Sequence, residues 1–230
     1  MKRAIIPRRL MPAGIAAILF FFAVAGGAAE TFAFSADRVE SVLAEGKERT
    51  LLTGRAKVKS DTLDISADRI ELSGKDYNLI DCSGNVSALD SDSGFKISTS
   101  RLVYDRSRKF SHMEGATVVE DRKNKLVLKA QWIDNDDRNK VLVAEVNVRI
   151  LKEKLSCRAE YAIYRRDAKS LELSGAPSAW KDGDLYRATR IVVNTDTEEV
   201  RLEGEVQGTI TTTSKGSGAA AAGQGGTVQP

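Results

Sequence analysis

Residues 65–70 read Ile65-Ser66-Ala67-Asp68-Arg69-Ile70, and residues 83–86 read Ser83-Gly84-Asn85-Val86. In the first stretch Leu63, Ile65 and Ala67 alternate with polar residues, and a three-residue step then places Ile70 and Leu72 on the same apolar face. A period of two belongs to a half-buried strand. The slip inside it predicts a β-bulge or corner, with the small residue at the bend. Around Gly84 the alternation runs Ile80, Cys82, Gly84, Val86, Ala88, so the glycine takes an apolar-face position. A glycine inside a strand marks a bend or a close approach of another backbone.

Both stretches recur along the chain. Gly54, Gly84, Gly115, Gly175 and Gly204 follow one another at intervals of 30, 31, 60 and 29 residues. Ala144-Glu145 stands at the midpoint of the long gap, where no glycine is found. Residues 34–39, 65–70, 97–102, 128–133, 157–162 and 186–191 form the second series, at steps of 31, 32, 31, 29 and 29. Two interleaved series with one period make this a repeat protein. Polar turns such as "DRSRK" (105–109), "DNDDRNK" (134–140) and "RRDAKS" (165–170) separate the strands. The class is all-β, with two strands per repeat of about 30 residues and on the order of 12 antiparallel strands. A glycine at each level lets the sheet fold over along one line, into an open, twisted trough with apolar residues inside and charges outside.

The ends differ from the middle. Residues 1–29 join a basic start, with Lys2, Arg3, Arg8 and Arg9, to the apolar run "GIAAILFFFAVA" and the small residues before Glu30. This is the pattern of an export signal cut after Ala29. The alternative is an uncleaved anchor, since residues 12–29 are an uncharged stretch just long enough to span. Residues 211–230 are rich in Gly, Ala, Ser and Thr and are expected to form a disordered tail. The folded domain is therefore expected over 30–210. Of the 35 basic residues four lie in the leader, leaving 31 against 32 acidic ones. A nearly neutral chain offers no reason to propose a nucleic-acid partner.

Chemistry is sparse. The chain has a single histidine, His112, and two distant cysteines, so no metal-ligand spacing exists and no nucleophile or phosphate-loop motif is present. No cofactor is implied, and the protein is not expected to be an enzyme. Asp37-Arg38 and Asp68-Arg69 read as corner charges on the solvated face; arginines at a trough rim could instead act as bidentate phosphate donors. Cys82 and Cys157 both alternate in phase with apolar neighbours. At two strands per repeat they stand roughly 24 Å apart along the stack, too far for a disulfide. Two buried free thiols are expected.

The repeated pattern, Leu-x-Gly-x-Ala/Val followed by segments like Ile65–Ile70 and placed behind an export signal, resembles the OstA-like proteins of lipopolysaccharide transport. The resemblance spans about residues 32–210. It implies a twisted antiparallel β-jellyroll whose interior holds acyl chains and whose copies join head-to-tail across the periplasm. By that resemblance the inward set lines the lipid site: Ile65, Ile70, Ile80, Val86, Ile97, Leu102 and Leu128, continuing with Ile133, Leu171, Leu173, Tyr186, Ile191, Leu202 and Val206. The partners implied are lipopolysaccharide or a similar glycolipid, further copies of the chain, and related jellyroll proteins at the inner and outer membranes. The function implied is a periplasmic carrier and bridge that binds the acyl chains and passes the glycolipid towards the outer membrane. Two readings stay beside it: a membrane-anchored protein that hands lipid on, and a structural β-repeat protein with a sealed core.

Overall fold

The computed structural model describes residues 31–212, which form antiparallel strands with one short 3-10 turn at Lys75–Tyr77. The expected leader, residues 1–29, lies outside the described residues, as does the expected tail beyond residue 212. The strands open with Ala33–Ser35 (β1), Arg38–Val42 (β2), Arg49–Lys59 (β3), Leu63–Ser73 (β4), Leu79–Asp90 (β5) and Phe95–Asp105 (β6). Then come Phe110–Asp121 (β7), Leu126–Asp136 (β8), Val141–Lys152 (β9), Leu155–Arg165 (β10) and Ser170–Ser174 (β11). Ser178–Lys181 (β12), Asp184–Arg187 (β13), Arg190–Asn194 (β14), Val200–Glu203 (β15) and Gln207–Thr209 (β16) complete the set. β3 to β10 each run through a bend unbroken. β1 with β2, β11 with β12, β13 with β14 and β15 with β16 are limbs of strands that break at it. Eight continuous and four broken strands make the twelve that the repeat predicts.

The bend is where the two sequence series meet. Between β3 and β4 the pairs Thr53–Arg69 and Ala56–Ala67 leave Gly54-Arg55 facing Asp68 alone. The same two-against-one bulge sets Gly84-Asn85 against Ser100 and Val146-Asn147 against Glu160. Gly84 and Asn85 have φ of 74° and 48°, the left-handed region that glycine enters without cost. A Cβ on Gly84 would lie 2.4 Å from Asp68 Oδ2 and 2.9 Å from its Cβ. In five of the six second-series segments the fourth residue thus lies over the glycine of a following strand, as with Asp37 over Gly54, Ser100 over Gly115 and Thr189 over Gly204. The joint in the fourth repeat is two residues later than the sequence spacing suggested. It is Val146-Asn147, at φ 65° and 56°, and not Ala144-Glu145, which stay in the ladder with Ala144 buried. That repeat bends like the others without a glycine.

The bend divides the sheet into two facing limbs. One holds β2, β11, β14, β15 and the halves of β3 to β10 that pair with them. The other holds β1, β12, β13, β16 and the remaining halves. Leu52, Ile70, Ile80 and Ile133 on the first pack into one core with Val58, Ile65, Val86 and Leu128 on the second. Ala67, Ala130 and Ala159 are buried at the bend, where a larger side chain would hold the limbs apart. Among the described residues the sheet does not close: β1 and β2 pair only with β3, β15 only with β14, and β16 only with β13.

Candidate functional site

The inward face is continuous from β3 to β14. Of the residues expected to line it, Ile65, Ile70, Ile80, Val86, Ile97, Leu102, Leu128, Ile133, Leu171, Leu173 and Ile191 are all buried in the common core. Tyr186 and Leu202 are half-buried against its C-terminal end. Val206 departs from the expectation. It alternates in phase with Leu202 on the inward side but is 55% exposed, because β16 is the last strand of its limb and no further level covers it. The chain's own side chains fill the space between the limbs. A cavity lined by Leu63, Ile65, Ala88, Phe95, Ile97 and Leu102 holds about 40 Å³, roughly the space of one water.

Both ends of this face are bare. Phe34 stands opposite the buried Val58 and Val39 opposite the buried Leu52, which puts both on the inward side. They are nevertheless exposed, as is every residue of β1 and β2. Among the described residues nothing caps the apolar interior at either end of the stack.

Across from the bend, the turns of the two limbs meet along a seam held by polar contacts. Lys169 Nζ donates to Asn124 Oδ1 at 2.7 Å, Lys152 Nζ donates to the Thr195 carbonyl, and Tyr164 Oη donates to Asp121 at 3.4 Å. The buried Arg166 pairs with Asp137 at 2.5 Å and lays its guanidinium 4.6 Å from the Phe95 ring centre. Burial works to raise the Asp137 pKa, but hydrogen bonds from Arg166 and Lys140 outweigh it and hold the carboxyl below its ordinary value. Asn135 Oδ1 and Arg166 Nε are buried without a hydrogen-bond partner. In the sequence these segments read only as polar turns between strands. The available signal was phase: Asn135 follows the buried Ile133, and Asp121 follows the buried Val119, by two residues each.

On the outer face of the first limb, charges of opposite sign are bridged across strands. Arg49 bridges to Glu71, Arg101 to Asp81 and Glu114, and Arg190 to Glu172 and Glu203. His112 belongs to this network. Its Nδ1 lies 2.5 Å from Asp134 Oδ1 and its Nε2 3.1 Å from Glu114 Oε1, and its ring leans on Trp132. The hydrogen bond to Asp134, with Glu114 adding to it, raises the imidazole pKa above 6.5 against the opposing effect of burial. Among the described residues no group of three His, Cys, Asp or Glu side chains could hold a metal ion. Cys82 and Cys157 are free and buried, and desolvation pushes both thiols up to about 12.

A family model described as "LptA/(LptD N-terminal domain) LPS transport protein" matches residues 35–199. The chain belongs to this family. The matched region runs from β1 to the turn before β15, so the family pattern and the bent sheet are one object. No curated protein matches the chain. Among solved structures, LptH of Pseudomonas aeruginosa, described as the LptA-homologous periplasmic component of the lipopolysaccharide transport device, is similar at 10% identity. The alignment covers 80% of this chain and 96% of that one, with a TM-score of 0.24. At that superposition no residue role passes between the two, and membership rests on the family match.

Proposed function

We propose that this protein is a periplasmic carrier in lipopolysaccharide transport, exported by a cleaved leader, that takes the acyl chains of the glycolipid between its two limbs. The observation that carries this reading is the continuous apolar interior, open to solvent at both ends, in a chain of the lipopolysaccharide-transport family. The interior is packed, so entry of a chain requires the limbs to part. Parting at the bend strains every joint; parting at the seam breaks only the few polar contacts between turns. Once the limbs separate, lipid replaces side chain against side chain, an exchange of apolar for apolar that costs little in transfer free energy. Ten methylenes so buried are worth roughly 8 kcal/mol against water. A chain held this firmly leaves only for another apolar site.

The two bare edges supply that neighbour. β2 and β15 each present an unpaired outer edge, with the inward residues of β2 exposed and those of β15 half-buried, the arrangement for edge-to-edge addition of a second copy or a related jellyroll protein. End-to-end contact would make the interiors continuous.

The rival reading, a structural repeat with a sealed core, draws on the tight packing between the limbs. Mass spectrometry of lipid co-purifying with the protein from an outer-membrane-bearing host separates the two. Stoichiometric lipopolysaccharide, lost when the purified protein is extracted with detergent and regained on incubation with lipopolysaccharide, is the expected result. Protein that stays lipid-free under both conditions overturns the carrier reading.

A further inference from the structure

One row of residues on the outer face of the second limb differs from every other charged row. Followed strand by strand beside the bend, directly paired residues read Ser35, Lys57, Ser66, Ser87, Ser98 and Val118. The row continues as Lys129, Arg149, Arg158, Ser178, Arg187 and Gln207. Twelve positions carry no carboxylate. Lys129, Arg149 and Arg158 stand on three successive strands, each directly opposite the next, and all three are exposed. Like charges directly opposite one another destabilise a sheet; where Glu71 faces Asp81 the pair is compensated by Arg49, Arg69 and Arg101. None of these three residues, nor Arg187, takes part in an ion pair of that kind.

The row also has a shape. Arg149, Arg158, Arg187, Ser178 and Trp180 line a surface concavity of about 390 Å³, floored by the backbone turn at Gly175-Ala176. The Arg158 guanidinium lies over the Trp180 ring, 5.2 Å from its centre. The pocket's one carboxylate, Glu160, is engaged by the backbone N–H of Asn147. Three arginines and an indole thus line one concavity. Guanidinium forks bind phosphate bidentately, and an indole offers an apolar face to a sugar ring.

We propose that the Arg149–Arg158–Arg187–Trp180 pocket is a binding site for a phosphorylated sugar, separate from the apolar interior. Phosphate between the arginines removes their mutual repulsion, so the site is strained when empty of anion and relieved when it is occupied. The ligand is the phosphorylated head of a glycolipid or a free sugar phosphate, which share this chemistry.

The test uses the folded exported chain with glucose 1-phosphate, glucose, inorganic phosphate, and vesicles of phosphatidylglycerol or phosphatidylcholine. Binding of glucose 1-phosphate is read from calorimetry and from Trp180 fluorescence in a Trp132→Phe background, since Trp132 is the chain's other tryptophan. It should exceed that of inorganic phosphate, vanish for glucose, weaken with salt, and fall about tenfold in Arg158→Gln. Without ligand, Arg158→Gln and Arg149→Gln should melt no lower than the unaltered protein, because each removes a like-charge contact. Two readouts therefore move in opposite directions, which a merely structural arginine would not produce. Glucose 1-phosphate binding that is absent, or unchanged in both variants, overturns the proposal. Binding to phosphatidylglycerol vesicles alone overturns it too and assigns the row to an anionic membrane surface. Because the measurement does not involve the interior, the carrier reading survives or fails independently of it.

Discussion

Asp68 leaves no room for a side chain at position 84. Gly84→Ala sets a Cβ in left-handed backbone against the Asp68 carboxyl, and the expected loss is about 2 kcal/mol, from the backbone penalty plus the displaced contact. Urea unfolding measures it. Val146 is the reverse case, a β-branched residue held at φ 65°. Val146→Gly should stabilise by about 0.5–1 kcal/mol, the left-handed penalty less the entropy of a freer unfolded chain; a lower melting temperature would contradict the strain at this joint. His112 gives a pH dependence with a definite sign. Its folded-state pKa is raised by Asp134 and Glu114, so its contribution is complete below about 6.5 and is lost as pH rises through the folded value. Relative to His112→Gln, the unaltered protein should therefore lose stability on going from slightly acid to slightly alkaline pH. An NMR titration of the ring gives the midpoint directly.

At the scale of the strand, what distinguishes one level from another is whether a neighbour covers it. Val86 and Val206 follow their glycines by two residues alike, yet the first is buried between β4 and β6 and the second is bare. Val206→Asp should accordingly leave the melting temperature within about 0.5 kcal/mol equivalent of the parent. Concentration-dependent oligomers, followed by light scattering, should weaken in the same variant. Oligomers of unchanged size would exclude the C-terminal edge as an interface. Leu128 lies in the middle of the stack, buried between two limbs. Leu128→Asp is expected to unfold the protein, since an unpaired carboxylate in a filled interior costs several kcal/mol. An open trough reached by water would instead have tolerated it.

For the whole molecule the question is whether the limbs hinge. Asn124 and Lys169 face each other across the seam. Cysteines placed there by Asn124→Cys and Lys169→Cys can be joined by a short bis-maleimide. The native thiols are spared in folded protein, because both are buried and held at about 12. If lipid enters by separation at the seam, the stapled protein should remain folded and take up no fluorescent acyl probe, while the unstapled double variant still does. Equal uptake by both forms would place entry at the ends of the stack.

How far the sequence carried the reading follows from which forces are local. Strand identity, the position of each bend within one or two residues and the inward set around Ile65, Ile97 and Leu128 came from periodicity, because alternation and a glycine are properties of neighbouring residues. The free state of Cys82 and Cys157 followed from counting strands between them. The Val146-Asn147 joint escaped because its conformation is imposed by the bulges on either side of it and opposes the preference of the residue itself. Three further features depended on which residues meet across the sheet. They are the buried seam of Asn135, Asp121 and Arg166, the exposure of Val206, and the uncompensated row from Lys129 to Arg187. Register between strands and the presence or absence of a covering neighbour are set by long-range pairing. No window of sequence contains that pairing, so only the tertiary structure decided them.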